Sequence, residues 1–186
     1  MKDIALTGLS RSGKDSIAAR LVEKHGYARV AFADRLKESA LKADPWIDGP
    51  YPRYPDGWMV RLSVLVHHVG WERAKDEYPE VRRYLQHSGQ TIREIDPQFW
   101  IKASLPQVRA AQELDGRPVV FTDVRYVNEA EYLKDRGFAI VRVTRPGQTP
   151  GDHASEREML SYPADQEIVN GGSLEGLAAL ADSLVI

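Results

Sequence analysis

The sequence GLSRSGKDS at residues 8–16 comes close to a phosphate-binding loop, whose usual pattern is Gly, four residues, Gly, Lys and then Ser or Thr. Gly8, Gly13 and Lys14 fit that pattern, whereas Asp15 stands where a hydroxyl residue is expected. A short apolar run precedes the loop, and a segment with helical spacing follows it. Strand, glycine-rich turn and helix in this order are the context in which such loops bind phosphate, so the sequence predicts an anion site here.

The glycines at both ends of the loop allow backbone amides to approach an anion closely. Lys14 can reach the β- and γ-phosphates of a nucleotide. A carboxylate is a hard oxygen ligand, so Asp15 can hold Mg²⁺ directly or through water. The alternative is a plain glycine-rich turn in which Asp15 only caps the helix. The predicted ATP-binding residues of this segment are Gly8, Ser10, Arg11, Ser12, Gly13, Lys14, Asp15 and Ser16.

Length and composition limit the classes of protein that this chain can be. Its 186 residues suit one domain with a lid or an insertion, and a net charge of −2 argues against a sequence-wide nucleic-acid surface. The absence of cysteine excludes disulfides, cysteine-based zinc sites and thiol nucleophiles. No apolar run reaches the roughly 20 residues of a membrane span, and no signal-peptide pattern precedes the first strand. We therefore expect a cytoplasmic protein without a membrane partner.

Hydrophobic patterning predicts an α/β fold. Strands are expected at residues 4–7, 29–33, 117–123, 138–143 and 167–170. Helices are expected at residues 14–25, 34–42, 128–136 and 174–184, and over 58–114 in pieces broken at Gly70, Pro79, Gly89 and Pro97. Short apolar strands alternating with helices imply a parallel sheet that is covered on both faces. Residues 34–116 form an all-helical insertion, 44–57 an exposed proline-rich loop within it, and 145–164 a polar, lid-like loop.

The sequence VVFTDVR, residues 119–125, supplies a second phosphate site. Asp123 at the strand end can orient Mg²⁺-bound water, and Arg125 can hold an acceptor phosphate. Ligands of open α/β sheets gather at the carboxyl ends of the strands, where both residues fall. An ion pair between Arg125 and Glu129, four residues further on, is the alternative role, and the two roles are compatible.

Residues of the insertion can complete a pocket for a nucleoside monophosphate. Asp34 and Lys37 follow the second strand on the same rim, although Asp34 can instead be only a helix cap. Gln90 can hydrogen-bond a base edge, Arg93 can hold a phosphate and Trp100 can stack on a base. Trp100 is equally readable as a core residue.

The C-terminal third adds candidates for a lid and for the adenine site. Arg142, Arg145 and Arg157 flank the polar loop, where they can close over a transferring phosphoryl group or remain solvated. Asn170-Gly-Gly-Ser173 follows the last strand, and Asn170, Gly172 and Ser173 are predicted to pass beneath an adenine ring. A GTPase switch is disfavoured, because no Asp in the chain has Gly three places on.

Taken together, these stretches resemble the phage-type deoxynucleoside monophosphate kinases. GLSRSGKDS, FADRLKE (32–38), LQHSGQTIR with the later FW, TDVRYVNEAE (122–131) and IVNGGSLEGL (168–177) carry the resemblance in order along the chain. It implies a P-loop NTP hydrolase-type three-layer α/β/α fold over residues 1–186, with strand order 2-3-1-4-5. It also implies a homodimer, ATP and a dNMP as substrates, and Mg²⁺.

Within that family the resemblance points to deoxyadenylate kinases and thus to dAMP as acceptor. The resemblance places Lys14 on the donor phosphates and Arg93 and Arg125 near the acceptor phosphate. Together with the predictions made above from the residues, the catalytic candidates are Lys14, Arg125, Asp123 and Arg145, the metal candidates are Asp15 and Asp123, and the acceptor-binding candidates are Asp34, Lys37, Gln90, Arg93, Trp100 and Arg125. A dephospho-coenzyme A or phosphomevalonate kinase on the same fold is the first alternative. A nucleotide-binding regulatory protein without turnover is the second.

Overall fold

The computed structural model describes residues 1–48, 59–151 and 153–185. Its strands are β1 (Ile4–Thr7), β2 (Ala28–Val30), β3 (Trp46–Asp48), β4 (Met59–Arg61), β5 (Val119–Val124), β6 (Ala139–Thr144) and β7 (Gln166–Val169). Its α-helices are α1 (Lys14–His25), α2 (Phe32–Ala43), α3 (Leu62–Glu77), α4 (Pro79–Ile95), α5 (Phe99–Arg109), α6 (Val127–Lys134), α7 (Ala154–Arg157) and α8 (Leu174–Asp182). A π-helical turn (Ala110–Leu114) follows α5, and a 3₁₀ turn (Ser183–Val185) follows α8. No helix of the described part is long and apolar enough to cross a membrane.

The chain divides into two compact units. One consists of Met1–Phe32 and Ile101–Ile186, and the other of Ala33–Trp100. The helical insertion expected over 34–116 therefore forms a compact unit only as far as Trp100, and the helical turns after it belong to the sheet-bearing unit.

The first unit is built on a parallel sheet with the strand order β2-β5-β1-β6-β7. Counting only these five strands gives 2-3-1-4-5, the expected order. The labels differ from that series because β3 and β4, which were not expected, precede β5 in the chain. All four residues of β1 are buried, as a central parallel strand covered on both faces requires.

Helices α1 and α8 cover one face of this sheet. Ile17 and Leu21 of α1 and Leu177 of α8 pack with Leu6 of β1 in the same buried cluster. Arg20, Lys24 and His25 of α1 all contact the carboxylate of Asp182 at the end of α8. Hydrogen bonds from these three groups hold the pKa of Asp182 far below its usual value. Because the cluster joins the first and last helices, it fixes the helix that follows the phosphate-binding loop.

The second unit joins α2, α3 and α4 around a small core that includes Ile47, Leu65, Val81 and Leu85. Our expectation of no strand there was wrong, because β3 and β4 form an antiparallel hairpin. Strands of three residues are too short to show the alternating pattern from which a strand is predicted. The proline-rich run at 50–55 lies outside the described residues.

Two expected helix boundaries in this unit were also wrong. Helix α4 runs without a break through Gly89. A Cβ at residue 89 would lie 3.1 Å from Leu36 Cδ2, so the glycine permits close approach to α2 rather than ending α4. Asp34 is not the N-cap of α2, because the helix begins at Phe32 and places Asp34 in its first turn.

Candidate active site

The loop between β1 and α1 has a shape that only glycine permits at its two ends. Gly8 has φ 138° and Gly13 has φ 111°, in the region that side chains rarely adopt. A Cβ at Gly8 would lie 2.1 Å from the Val143 carbonyl oxygen, and one at Gly13 would lie 2.6 Å from Asn170 Nδ2. Gly8 is therefore required by space as well as by backbone angle, whereas a side chain at Gly13 would have the wrong backbone angle and would displace the Asn170 side chain. The loop lies against β6 and the segment after β7.

Polar contacts from two later segments fix the shape of the loop. Asn170 donates from Nδ2 to the Ser12 carbonyl oxygen at 2.9 Å. Gln148 donates from Nε2 to the Ser10 carbonyl oxygen at 2.8 Å. These two contacts fix the loop at the N-terminus of α1, and the amides of a helix N-terminus favour an anion.

An open cleft of about 320 Å³ lies over the N-terminus of α1. Its lining includes most of the residues expected to bind ATP in this unit, among them Arg11, Asp15, Ser16, Asn170 and Gly172, together with Arg145. Arg145 is exposed, and its guanidinium has no hydrogen bond or ion pair to any described residue. Two arginines and a helix N-terminus around one cleft suit a polyanion such as a nucleotide phosphate chain.

Lys14, the first residue of α1, is buried and turned back onto its own loop. Its Nζ donates to the Gly8 carbonyl oxygen at 2.9 Å and to the Leu9 carbonyl oxygen at 2.6 Å. Burial, reinforced by the charge of Arg125, lowers the pKa of Lys14 from 10.5 to about 8. Three carboxylates oppose the shift, those of Asp15, Glu156 and Asp123. The charges of Arg125, Asp15, Glu156 and Asp123 therefore all act on the ammonium group of Lys14.

Arg125 directly follows β5, the strand that pairs with β1, and β1 leads into the phosphate-binding loop. In the pairing of β1 with β5, Thr7 lies opposite Val124, so the loop and Arg125 leave the sheet side by side. The Arg125 guanidinium donates from Nη1 to Glu156 Oε1 at 3.2 Å. It does not pair with the Glu129 side chain through its own side chain, which was the alternative considered from the sequence.

Glu129 instead holds the backbone at this corner. Its side chain is 1% exposed, and its Oε2 accepts from the amides of Arg125 at 2.9 Å and Tyr126 at 3.2 Å. The carboxylate lies in the first turn of α6, where the helix dipole favours negative charge. Glu129 therefore fixes the direction in which the chain leaves β5, and with it the position of Arg125.

Asp123 caps a helix as well as lying near the ammonium of Lys14. Its Oδ1 accepts from the amide of Phe32, the first residue of α2, at 2.9 Å. The cap expected from Asp34 is thus supplied by Asp123, which lies 91 positions after Phe32 in the chain. One oxygen of Asp123 is occupied by this contact, which limits how directly it can act on a metal.

The carboxylates present suit a metal that arrives with the nucleotide. Asp15 is exposed, lines the cleft over the N-terminus of α1 and makes no hydrogen bond or ion pair to a described residue. Among the described residues no group of three or more His, Cys, Asp or Glu side chains gathers as a metal cage. Mg²⁺ on a nucleotide needs only one or two carboxylates, because phosphates and waters fill its other positions. Asp15 fits that requirement, and Asp123, whose charge also acts on the ammonium of Lys14, is the second candidate carboxylate.

The lid-like segment at 145–164 contains α7 and lies over a second, smaller cavity. This cavity of about 140 Å³ is lined by Thr7, Arg125, Arg145, Gln148 and Glu156, among others. It therefore brings the end of β1, the corner after β5 and the lid-like segment around one space beside the loop. Arg145 lines both this cavity and the cleft over the N-terminus of α1.

Arg142 of β6, Arg157 of the lid-like segment and Ser173 bind the protein itself. Arg142 donates to the carbonyl oxygens of Met159 and Tyr162 and pairs with Glu167, so it supports the chain. Arg157 donates to the Gly151 carbonyl oxygen. Ser173 caps α8 by accepting from the Gly176 amide, and this role was not foreseen when it was assigned to adenine.

The remaining acceptor candidates lie in the Ala33–Trp100 unit. Asp34 and Lys37 are half-buried on α2, and Gln90 and Arg93 are half-buried on α4, two helices that approach each other at Gly89. Trp100 is 3% exposed, and its indole N–H donates to the Gly89 carbonyl oxygen. A ring that is almost completely buried has no open face on which a base can stack, so the prediction that Trp100 stacks on the base is corrected in favour of a packing role.

Sequence reasoning missed Glu156, Gln148 and the backbone role of Glu129. Glu156 and Gln148 lie in a polar loop in which no spacing singles them out. Each contacts a partner 31 or 138 residues away, which no local pattern reveals. The sequence indicates Glu129 only as an i,i+4 partner, although a glutamate at the third position of a helix commonly accepts from the N-cap amide, as Glu129 does from Tyr126.

Comparison with known proteins gives a consistent result. Residues 66–180 match the model of a family described as deoxynucleotide monophosphate kinase. A protein of Acanthamoeba polyphaga mimivirus, which bears deoxynucleotide monophosphate kinase as a provisional name, is 28% identical over 182 residues, covering 92% of this chain and 90% of that protein. The uncharacterized protein ORF76 of Ictalurid herpesvirus 1 is 33% identical over 176 residues, covering 89% of this chain and 70% of that protein.

Solved structures overlap with the chain more loosely. The crystal structure of TT1252 from Thermus thermophilus has a TM-score of 0.44 at 23% identity and covers 100% of this chain and 98% of that chain. The APS kinase CysC of Mycobacterium tuberculosis has a TM-score of 0.39 at 17% identity, covering 99% of this chain and 97% of that chain.

Proposed function

The chain belongs to the deoxynucleotide monophosphate kinase family, and from this premise we propose that it transfers the γ-phosphate of ATP to a deoxynucleoside monophosphate, with dAMP as the favoured acceptor. The products would be ADP and a deoxynucleoside diphosphate, which supplies nucleotides for DNA synthesis. The observation that carries the proposal is the pairing of Thr7 with Val124, which sets the phosphate-binding loop and Arg125 side by side at the edge of the sheet.

The chemistry asks for charge and position rather than for a protein base. A phosphate monoester has its second pKa near 6, so the acceptor is largely dianionic at neutral pH and already nucleophilic. Loop amides and Lys14 would hold the donor phosphates, while Arg125 would hold the acceptor phosphate in line with them. Arg145, which lines both cavities, is placed to neutralise charge between the two.

Lys14 has to move for this role. Its ammonium now binds the carbonyl oxygens of Gly8 and Leu9, and a nucleotide phosphate would replace these partners. Neutral carbonyls are weaker partners for an ammonium group than a phosphate is, so the exchange favours the bound nucleotide. The folded-back lysine therefore keeps its charge satisfied in the empty loop without blocking ATP.

Magnesium would be held by Asp15 from the first turn of α1, with Asp123 acting through water. When bound, the ion would neutralise charge on the donor phosphates. We expect Asp15→Ala to raise the Mg²⁺ concentration needed for half-maximal turnover by about tenfold, since one charged oxygen ligand is lost. Asp15→Ser, which restores the usual hydroxyl, should recover most of that loss. An unchanged Mg²⁺ requirement in Asp15→Ala would return this residue to its capping role.

Substrate choice is tested by ADP production from ATP and Mg²⁺ with dAMP, dGMP, dCMP, dTMP and AMP in separate reactions. The proposal expects turnover with deoxynucleotides, fastest with dAMP. Equal use of AMP would show that the sugar is not read. Turnover fastest with another base would remove the dAMP preference while leaving the kinase. Absence of ADP production with all five acceptors would contradict the proposal, and coenzyme A precursors would then be tested as acceptors.

The other expectations drawn from the resemblance are kept as proposals. We propose a homodimer, which light scattering coupled to size-exclusion chromatography would detect as twice the 20.9 kDa chain mass. We also propose a cytoplasmic site of action and no nucleic-acid partner. Binding of labelled duplex or single-stranded DNA at physiological salt would contradict the second of these.

A further inference from the structure

Arg125 does not stand open for an acceptor phosphate, because a carboxylate from the lid-like segment holds it. Glu156 Oε1 lies 3.2 Å from Arg125 Nη1. The side chain of Glu156 is 17% exposed and that of Arg125 is 38% exposed. Both line the small cavity beside the phosphate-binding loop. The Glu156 carboxylate thus binds the same guanidinium to which the acceptor phosphate is proposed to bind.

A second glutamate joins the same segment to the same corner in a different way. Glu158 Oε1 accepts from the backbone amide of Val127, the first residue of α6, at 2.9 Å. Glu156 therefore binds the side chain that would act on substrate, whereas Glu158, two residues away, binds only the backbone. This pair separates an effect on the charge of Arg125 from an effect on the docking of the segment.

We propose that Glu156 is a specificity-determining residue of the transfer, a competitor that holds Arg125 until the phosphate of the acceptor displaces it and so disfavours transfer to water. The proposal rests on the function proposed above, in which Arg125 binds the acceptor phosphate. The reaction that it suppresses is hydrolysis of ATP, in which the bond from the β–γ bridging oxygen to the γ-phosphorus breaks, the oxygen of water bonds to that phosphorus, and the proton of water passes to solvent.

The strengths of the competing contacts make the exchange possible. Glu156 makes one hydrogen bond to a partly exposed guanidinium, and solvent weakens such a pair. An acceptor phosphate carries two negative charges and offers oxygens for a bidentate contact with the guanidinium fork. The acceptor therefore outcompetes Glu156, whereas water cannot.

In the absence of acceptor, the carboxylate works against hydrolysis in two ways. It offsets the positive charge of Arg125, which would otherwise stabilise a γ-phosphate under attack by water. It also adds negative charge to the neighbourhood of Lys14, where the donor phosphates would lie. Displacing Glu156 removes both effects together, so transfer becomes favourable only when the acceptor is in place.

The test compares Glu156→Gln with Glu158→Gln in the full chain. For Glu156→Gln we expect the KM of the acceptor to fall and the acceptor-free rate of ATP hydrolysis to rise, each by about two- to fivefold, the range that a partly exposed ion pair supports. Glu158→Gln should leave both quantities unchanged. Thermal melting shows whether each variant is folded, and Glu156→Ala is the second variant if Glu156→Gln is not.

The Arg125→Ala variant separates failure of this inference from failure of the proposed function. If Arg125→Ala raises the acceptor KM and Glu156→Gln changes nothing, the inference falls while the function stands. If Arg125→Ala leaves the acceptor KM unchanged, the role of Arg125 falls and the inference falls with it. Equal effects from Glu158→Gln would show that loosening the segment is sufficient, and would also overturn the inference. Loss of the Glu156→Gln effect in the Arg125→Ala background would support it.

Discussion

The proposed donor cleft over the N-terminus of α1 and the proposed acceptor corner, where Arg125 follows β5, lie beside the same loop. Their charged groups differ in whether they already have partners within the protein. On the donor side, the Arg145 guanidinium and the Asp15 carboxylate make no hydrogen bond or ion pair to a described residue, although the charge of Asp15 acts on the ammonium of Lys14. On the acceptor side, Glu156 holds the guanidinium of Arg125 and Glu129 holds its backbone amide. The proposed donor side is therefore open to a polyanion as it stands, whereas the guanidinium of Arg125 would have to release an internal anion before it could bind an acceptor phosphate.

Removing the ammonium charge of Lys14 should have the largest effect on turnover, because Lys14 interacts electrostatically with Asp15 on the donor side and with Arg125 on the acceptor side. We expect Lys14→Ala to lower turnover by about 10²- to 10³-fold, the scale of losing one preorganised donor to a developing charge. The measurement is kcat for ADP formation with saturating ATP and acceptor. Lys24→Ala is the matched control, because Lys24 lies on the same helix but pairs with Asp182. Turnover near normal in Lys14→Ala would show that the loop does not hold the transferred phosphate.

Distorting the donor side alone should come next. In Gly13→Ala the new Cβ would lie 2.6 Å from Asn170 Nδ2 at a φ of 111°, so the loop has to shift. We expect kcat/KM for ATP to fall by about 100-fold, since a displacement near 1 Å has that effect on a positioned reactant. Gly137→Ala is the control, because Gly137 has φ 85° with open space around it. It should lower stability by about 1–2 kcal/mol through backbone strain and leave kcat/KM unchanged.

Removing the Glu129 carboxylate should weaken binding of the acceptor without weakening binding of ATP. Glu129→Ala leaves two buried amides without their acceptor, and we expect a loss of about 1–3 kcal/mol in unfolding free energy for each amide that stays unpaired. The KM of the acceptor should rise while the KM of ATP stays constant. Glu129→Gln keeps an oxygen for the amides and should restore the acceptor KM. A parallel rise in both KM values would mean that Glu129 supports the whole fold rather than Arg125.

The same contrast explains what the sequence could predict. The phosphate-binding loop was predictable because its glycines, its lysine and the strand and helix around it are contiguous. Arg125 was predictable because ends of parallel strands meet at one edge, so a charged residue directly after an apolar strand falls there. The five sheet strands and their order followed from the same alternation of strands and helices together with the resemblance.

What was missed depends on contacts between distant segments. Glu156 and Gln148 act through partners that only the folded chain brings near, and the polar loop around them has no periodicity. Asp34 is of the residue type that caps a helix, yet Asp123 caps α2 from β5, the strand that pairs with the one preceding α2. Trp100 could be read from sequence as a stacking residue or as core, and only its burial decides between the two. Local pattern therefore predicts the donor side better than the acceptor corner.

The pH dependence of ATP use provides the smallest but most specific comparison. Burial, with Arg125 beside it, lowers the pKa of Lys14 to about 8, so the empty loop loses its ammonium charge as pH rises through that value. We expect kcat/KM for ATP to decline above about pH 8. Bound phosphates favour the charged form and raise the pKa again, so the decline in kcat should begin at a higher pH. Lys14→Arg should lose the alkaline limb, because a guanidinium stays protonated.

The pH dependence of the unfolding free energy provides a second test of the lowered pKa of Lys14. Because the folded-state pKa of Lys14 lies below its unfolded value of 10.5, folding disfavours the charged lysine at pH values below about 8. That unfavourable contribution diminishes as pH rises from about 8 to 10.5, where the unfolded chain binds more protons than the folded one. The unfolding free energy of the wild type should therefore gain relative to Lys14→Met across this window. A difference that stays constant with pH would show that Lys14 keeps an ordinary pKa, and the alkaline limb would then need another group.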